Sequence, residues 1–112
     1  MEAPTGTTRL AAVIGDPVRH SLSPLLHNTA FAALDLDWVY VALEVGSGHA
    51  AAALEAMRTL GIAGLSVTMP HKEAVAEACD ALSSDAEALR AVNCVVNDDG
   101  RLIGHNTDGG GF

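Results

Sequence analysis

The sequence predicts an α/β fold: an open, mostly parallel sheet with helices on both faces and one antiparallel hairpin near the C-terminus. Three observations carry this expectation. Short runs of β-forming residues alternate with helical stripes along most of the chain. Hydrophobic residues make up 49% of it but aromatic ones only 4%, so the core is built from Ala, Val, Leu and Ile, as in buried parallel strands. Finally, Asp98-Asp99-Gly100 separates two apolar runs and is a good hairpin turn. At 112 residues this is one domain, large enough to bury a sizeable core.

Residues 1–8 read as a disordered tail. Arg9 to Ile14 is the first strand, stopped by the turn signal Gly15-Asp16-Pro17. Ser23 followed by Pro24 starts a helix, with serine as N-cap and proline at the first helical position. Its apolar stripe is Leu26, Ala30, Ala33 and Leu34, and it ends near Asp35. Trp38 to Val45 is a second strand. Ser47 to Leu60 is a helix that turns Ala50, Leu54, Met57 and Leu60 inward and stops at Gly61.

Ala63 to Met69 is a third strand, and Pro70 ends it because proline lacks the ladder N–H. A third helix runs from Lys72 to about Ala81. Ser84-Asp85-Ala86-Glu87 matches a capping box for a short helix to about Ala91. Val92 to Asn97 and Arg101 to His105 form the hairpin, and the chain finishes in a glycine-rich stretch.

Composition removes several function classes. A net charge of −8 argues against nucleic acid or an anionic membrane as partner, since both need a basic surface. No apolar run approaches the ~20 residues of a membrane span. The first residues are neither basic nor apolar, so they do not read as a signal peptide. Cys79 and Cys94 stand apart without metal spacing and read as reduced thiols, which makes the cytoplasm the expected compartment. The five histidines show no ligand spacing, so no metal is expected.

The candidate chemistry sits at the strand ends. In such sheets ligands bind beyond the carboxyl ends of the strands, and the Ser21/Ser23 loop and the Thr68–Lys72 loop both fall there. Lys72 is the only lysine. It stands at the positive end of a helix, where a cation is least welcome, a placement that suits acid/base work. The alternative is a solvated lysine at a loop tip. Ser21 and Ser23 combine hydroxyls with a helix entrance, an arrangement that fits a small carboxylate; the alternative is that Ser23 only caps its helix. Thr68 can bond a substrate hydroxyl, or serve merely as a β-former. Asn93 is either an edge residue or a ligand donor. Asp108 is a turn residue taken alone, or the carboxylate partner of Lys72 in a proton-sharing pair. Gly109-Gly110-Gly111 lacks the Gly-x-Gly-x-x-Gly spacing of a nucleotide loop.

Four blocks then stand together: Gly15-Asp16-Pro17-Val18-x-His20-Ser21-Leu22-Ser23-Pro24-x-x-His27-Asn28; Val67-Thr68-Met69-Pro70-His71-Lys72; Ala91-Val92-Asn93; and Gly104-x-Asn106-Thr107-Asp108-Gly109-x-Gly111. In this order they resemble the substrate-binding domain of shikimate dehydrogenase, from about Leu10 to Phe112, so that residues 9–112 would be that domain. The resemblance implies that the Ser21 and Ser23 hydroxyls bind the shikimate carboxylate. It implies that Thr68, Asn93 and Asp108, with Lys72, contact the ring hydroxyls. Lys72 and Asp108 match the catalytic pair that manages the proton while NADPH reduces the C3 carbonyl of 3-dehydroshikimate. Ser-x-Ser, rather than Ser-x-Thr, favours shikimate over quinate.

The sequence departs from the family at Ser66, where Asn is usual, and at Cys94, where Thr is usual. The family also continues into a dinucleotide-binding domain that holds NADP. The expectation is that this chain by itself binds substrate but is not a competent dehydrogenase. The alternatives are a fragment of a quinate or aminoshikimate dehydrogenase, and a non-catalytic shikimate-binding module. Oligomeric state is left open.

Overall fold

The computed structural model describes residues 3–108. Its elements are β1 (Arg9–Gly15), α1 (Ser23–Ala33), β2 (Trp38–Glu44), α2 (Ala50–Leu60), β3 (Gly64–Val67), α3 (Lys72–Ala78), β4 (Ala81–Leu82), α4 (Ser84–Leu89), β5 (Cys94–Asp98) and β6 (Arg101–His105). The strands form one sheet in the order β2-β1-β3-β5-β6-β4. β1 pairs in parallel with β2 and β3, and β4 in parallel with β6, while β5 runs antiparallel to both β3 and β6. Only β5 opposes the common direction. The expected fold class is therefore observed, with the hairpin built into the sheet rather than appended to it.

Alternation along β1 divides the core into two. Ala12 and Ile14 join Leu65, Val67, Val95 and Leu102 beneath α2 and α3, which contribute Leu54, Met57 and Val75. Ala11 and Val13 point the other way, toward Val18 and Tyr40 on the side of α1. The hairpin closes through the Asp98–Arg101 pair, and Asp99 and Gly100 take φ of +52° and +92°, the paired positive values of a type I′ turn. Gly61, at φ +70°, ends α2.

Several local expectations are corrected. Leu26 and Leu34 of the supposed inward stripe are 64% and 68% exposed, Ala30 and Ala33 are also exposed, and no residue of α1 is buried. The partly buried positions are Ser23, Pro24, Asn28 and Phe31, and the last three repeat the expected spacing on the opposite side of the helix. The reason is polar. β2 is an edge strand, and the Asn28 amide satisfies both backbone groups of Tyr40, each at 2.8 Å. Phe31 meanwhile packs on Trp38, with ring centroids 5.8 Å apart.

In α2, Ala50, Leu54 and Met57 are buried as expected, but Leu60 is 72% exposed; the helix ends at Gly61, and the next buried side chain is Ile62, whose N–H donates back to the Met57 carbonyl at 3.0 Å. α3 stops at Ala78 instead of about Ala81. There the Asp80 carboxylate accepts the Leu102 N–H at 2.7 Å, and Ala81–Leu82 become the edge strand β4 on β6. The cap of α4 is Ser83 rather than Ser84, its hydroxyl accepting the Ala86 N–H at 3.2 Å. Where a tail was expected, Thr7 and Thr8 donate to Asp37 at 2.8 and 2.6 Å; Thr8, then Thr7, holds that carboxyl below its usual range. The Gly109–Gly111 run and Phe112 lie outside the described residues.

Candidate functional site

Because β1, β2, β3 and β6 point one way and β5 the other, one rim collects their exits and the approach to β5. That rim holds Ser21 and Ser23 after β1, Thr68 and Lys72 after β3, Asn93 before β5, and Asp108 after β6. Its loops are tied by backbone hydrogen bonds. Asp16 N–H donates to the Met69 carbonyl at 2.9 Å, Thr68 N–H to Ile14 at 3.0 Å, and Val45 N–H to Gly15 at 3.0 Å. Gly15 is required here, since a Cβ on it would lie 2.3 Å from Thr68 Cγ2 and 3.1 Å from the Met69 carbonyl oxygen.

A cavity of about 400 Å³ opens on this rim, lined by Val18, His20, Ser21, Ser23, Ser66 and Thr68 among others. Ser23 does not cap α1, contrary to expectation. It is the first helical residue, and its own N–H donates to Ser21 Oγ at 3.1 Å. The local backbone duty thus falls on Ser21, whose oxygen accepts, leaving its proton to point elsewhere. Another depression of about 450 Å³ lies at the opposite ends of the strands, beside Thr5, Phe31, Asp37 and Trp38, remote from Lys72.

The sequence placed Lys72 and Asp108 as a pair across 36 positions, and the structure joins them: Lys72 Nζ donates to Asp108 Oδ2 at 2.8 Å. Their side chains are 37% and 58% exposed, open enough to meet a ligand. The Lys72 ammonium, helped by Asn93, holds the Asp108 carboxyl below its usual range, so it is ionised at neutral pH.

Both members are held from behind by residues the sequence reading did not single out. His71 is 1% exposed and its Nε2 lies 2.5 Å from the Val45 carbonyl, which pins the turn before Lys72 to the end of β2. Asn106, also buried, donates to the Ala91 carbonyl and accepts the Asp108 N–H at 2.8 Å. Asn93, expected to face a ligand, here exchanges two hydrogen bonds with Thr107, at 2.9 and 3.2 Å. Thr68 lines the cavity as expected. Asn28 and Asn106 stand within the quoted motif blocks, and their side chains serve backbone groups rather than the cavity.

The described residues do not fit a dinucleotide. The one strand–turn–helix junction with spaced glycines, Gly46-Ser47-Gly48-His49-Ala50-Ala51, follows the edge strand β2. Gly48, at φ +89°, shapes a turn with nothing within 4 Å of a Cβ, so it provides no close helix–strand contact. No acidic residue ends β3, where the ribose partner of that fingerprint belongs.

With this geometry in view, the comparisons with known proteins are specific. Residues 13–95 match the family described as the shikimate dehydrogenase substrate binding domain. The chain is 55% identical over 102 residues to an NADP(+) shikimate dehydrogenase of Thermococcus kodakarensis, covering 91% of this chain and 38% of that protein. It is 49% identical over 108 residues to the one from Alkaliphilus metalliredigens, covering 96% and 38%. A crystal structure of shikimate 5-dehydrogenase from Listeria monocytogenes, in complex with shikimate and NAD, superposes with a TM-score of 0.92 at 49% identity. That match covers 97% of this chain and 38% of the other. The chain thus spans about 38% of the length of the curated relatives it matches. On the match over most of its length and the rim that fold and motifs build together, this chain belongs to the shikimate dehydrogenase substrate-binding domain family.

Proposed function

We propose that residues 9–112 form the shikimate-binding, proton-transferring domain of an NADP-dependent shikimate dehydrogenase acting in the cytoplasm. The observation that carries this is the Lys72–Asp108 pair, 2.8 Å apart on the same rim as the hydroxyl-lined cavity. The Ser21 and Ser23 hydroxyls take the carboxylate of shikimate or 3-dehydroshikimate. Thr68 and Asn93 take ring hydroxyls, the latter by exchanging its bond to Thr107.

Reduction of a ketone to an alcohol needs a hydride at carbon and a proton at oxygen. These residues supply the second. Lys72 places an N–H at the carbonyl oxygen and yields its proton there, and in the reverse direction takes it back; Asp108 keeps the ammonium aimed. The relatives are named for NADP(+), which would supply the hydride chemistry. Two free thiols, at Cys79 and Cys94, support the reducing compartment.

The test is a chimera joining this chain to the remaining portion of the Thermococcus kodakarensis relative. NADP(+)-dependent oxidation of shikimate is expected, and Lys72→Met should lower kcat about 10²–10⁴-fold. A chimera that binds shikimate without turning it over would reassign the domain as a binding module. Faster turnover of quinate would reassign the substrate.

A further inference from the structure

Four asparagines stand in this chain, and among the described residues three of them bond only backbone. Asn28 closes both groups of Tyr40. Asn97 joins the Ile62 carbonyl, at 3.0 Å, to the Gly100 N–H, at 2.8 Å. Asn106 joins the Ala91 carbonyl to the Asp108 N–H. Asn93 is different. Its Nδ2 donates to the Thr107 hydroxyl at 2.9 Å and its Oδ1 accepts the Thr107 N–H at 3.2 Å, so a single exposed residue closes both ends of the amide.

The backbone of Asn93 is fixed. Its N–H donates to the His105 carbonyl at 3.0 Å, and its carbonyl accepts the Val67 N–H at 2.8 Å, so only the side chain can turn. That side chain stands beside the Lys72–Asp108 pair, since the amide helps the ammonium to hold the Asp108 carboxyl low. Asp108 does not depend on it for position. Its N–H is held from behind by the buried Asn106, whether or not Asn93 keeps Thr107.

Breaking a hydrogen bond to a buried group leaves that group without a partner, which is strongly unfavourable. Thr107 is exposed, so water takes its hydroxyl and its N–H as soon as the amide turns away. A ring hydroxyl that takes the Asn93 amide therefore replaces one neutral hydrogen bond by another of the same kind, and the exchange is nearly balanced. Such a contact orients the ring while adding little to ground-state affinity, the kind of binding that would not speed the chemical step.

We propose that Thr107 is a built-in competitor for the ring hydroxyl at Asn93: its own hydroxyl fills the amide in the free protein, is displaced when ligand binds, and so sets the affinity. The proposal rests on the reading of this rim as the shikimate site, with Asn93 as a hydroxyl-binding residue. It makes Thr107 a determinant of affinity that never touches the reacting atoms.

The experiment is a set of NMR titrations of shikimate into the labelled chain and its Thr107→Val, Thr107→Ser, Asn93→Ala and Asn93→Ala/Thr107→Val variants. Valine keeps the shape and the backbone N–H and removes the hydroxyl. Kd should fall about fivefold, the net worth of one neutral hydrogen bond. Thr107→Ser, which retains a hydroxyl, should restore the wild-type value. In the Asn93→Ala background the valine should change nothing further, because the hydroxyl acts only through the amide. Saturating wild type with shikimate should speed hydrogen exchange at the Thr107 N–H and leave the Asp108 N–H as it was. Unchanged or weaker binding in Thr107→Val overturns the proposal, since a residue that positioned Asn93 for the ligand would weaken binding when cut back. An equal gain in the Asn93→Ala background does so too, because it marks an effect that bypasses the amide. Should Thr107→Val fail to give a folded spectrum, an unmoved Thr107 N–H in saturated wild type overturns it alone. Saturable binding with Asn93 and Thr107 resonances unmoved removes this proposal and leaves the shikimate reading standing; no saturable shifts in wild type removes both.

Discussion

The two faces of the sheet are built on different principles. Under α2 and α3 the face is aliphatic and dry: Ile14, Leu54, Met57, Val75, Val95 and Leu102 are all at most 2% exposed. Under α1 the core is small, and what fixes the helix is polar: the Asn28 clamp on Tyr40, the His27 stack, and the Tyr40–Ser66 bond. The first face supplies the stability of the fold, because burial free energy scales with apolar area. The second supplies direction, because hydrogen bonds specify angles that dispersion contacts leave free. The hydroxyls that line the cavity stand on the second.

Substitutions should separate these roles. Leu54→Ala, which empties a buried site between α2 and the sheet, is expected to cost about 3 kcal/mol in urea unfolding; a cost below about 1 kcal/mol would show that the aliphatic face is not the main source of stability. Asn28→Ala should cost about 2 kcal/mol, by leaving two backbone groups of the edge strand without their amide. It should also disturb ligand shifts at Ser23, which Leu54→Ala leaves in place in the folded fraction.

Acid should act next. The Leu102 N–H, then Arg58, holds Asp80 below the ordinary 3.8 of an unfolded aspartate. A depressed carboxyl contributes stability that is complete above its unfolded pKa and is lost as pH falls through the folded one. Unfolding followed below pH 4 should therefore steepen, and Asp80→Asn should flatten that arm while lowering stability at pH 7. The smallest effect belongs to Leu26→Ser. If α1 is turned as described, removing this exposed leucine changes stability by less than about 0.5 kcal/mol. A loss near that of Leu54→Ala would turn the helix over.

The elements legible in sequence were those with local causes. The Asp99-Gly100 turn follows from the φ demanded by a two-residue hairpin, and the seam Ala50, Leu54, Met57 from helical spacing. Lys72 and Asp108 were paired through motifs rather than spacing, and the fold put them in contact. What failed were choices between local equivalents. Ser83 and Ser84 can each cap a helix, and the geometry of α4 took the first. Ser21 and Ser23 both border α1, and Ser21 took the backbone duty.

By itself, then, the sequence determined the alternation of strands and helices, the turn that returns the chain from β5 to β6, and which residues bring acid, amide and hydroxyl chemistry to the strand ends. Only the tertiary structure decided which stripe of α1 faces the sheet, that Asp80 draws a strand out of a predicted helix, and that Tyr40 crosses β1 to reach Ser66. The reason is one of range. Periodicity says which side chains share a face, but the face that turns inward is settled by partners far along the chain, here the edge-strand backbone at Tyr40 and the Leu102 N–H at Asp80.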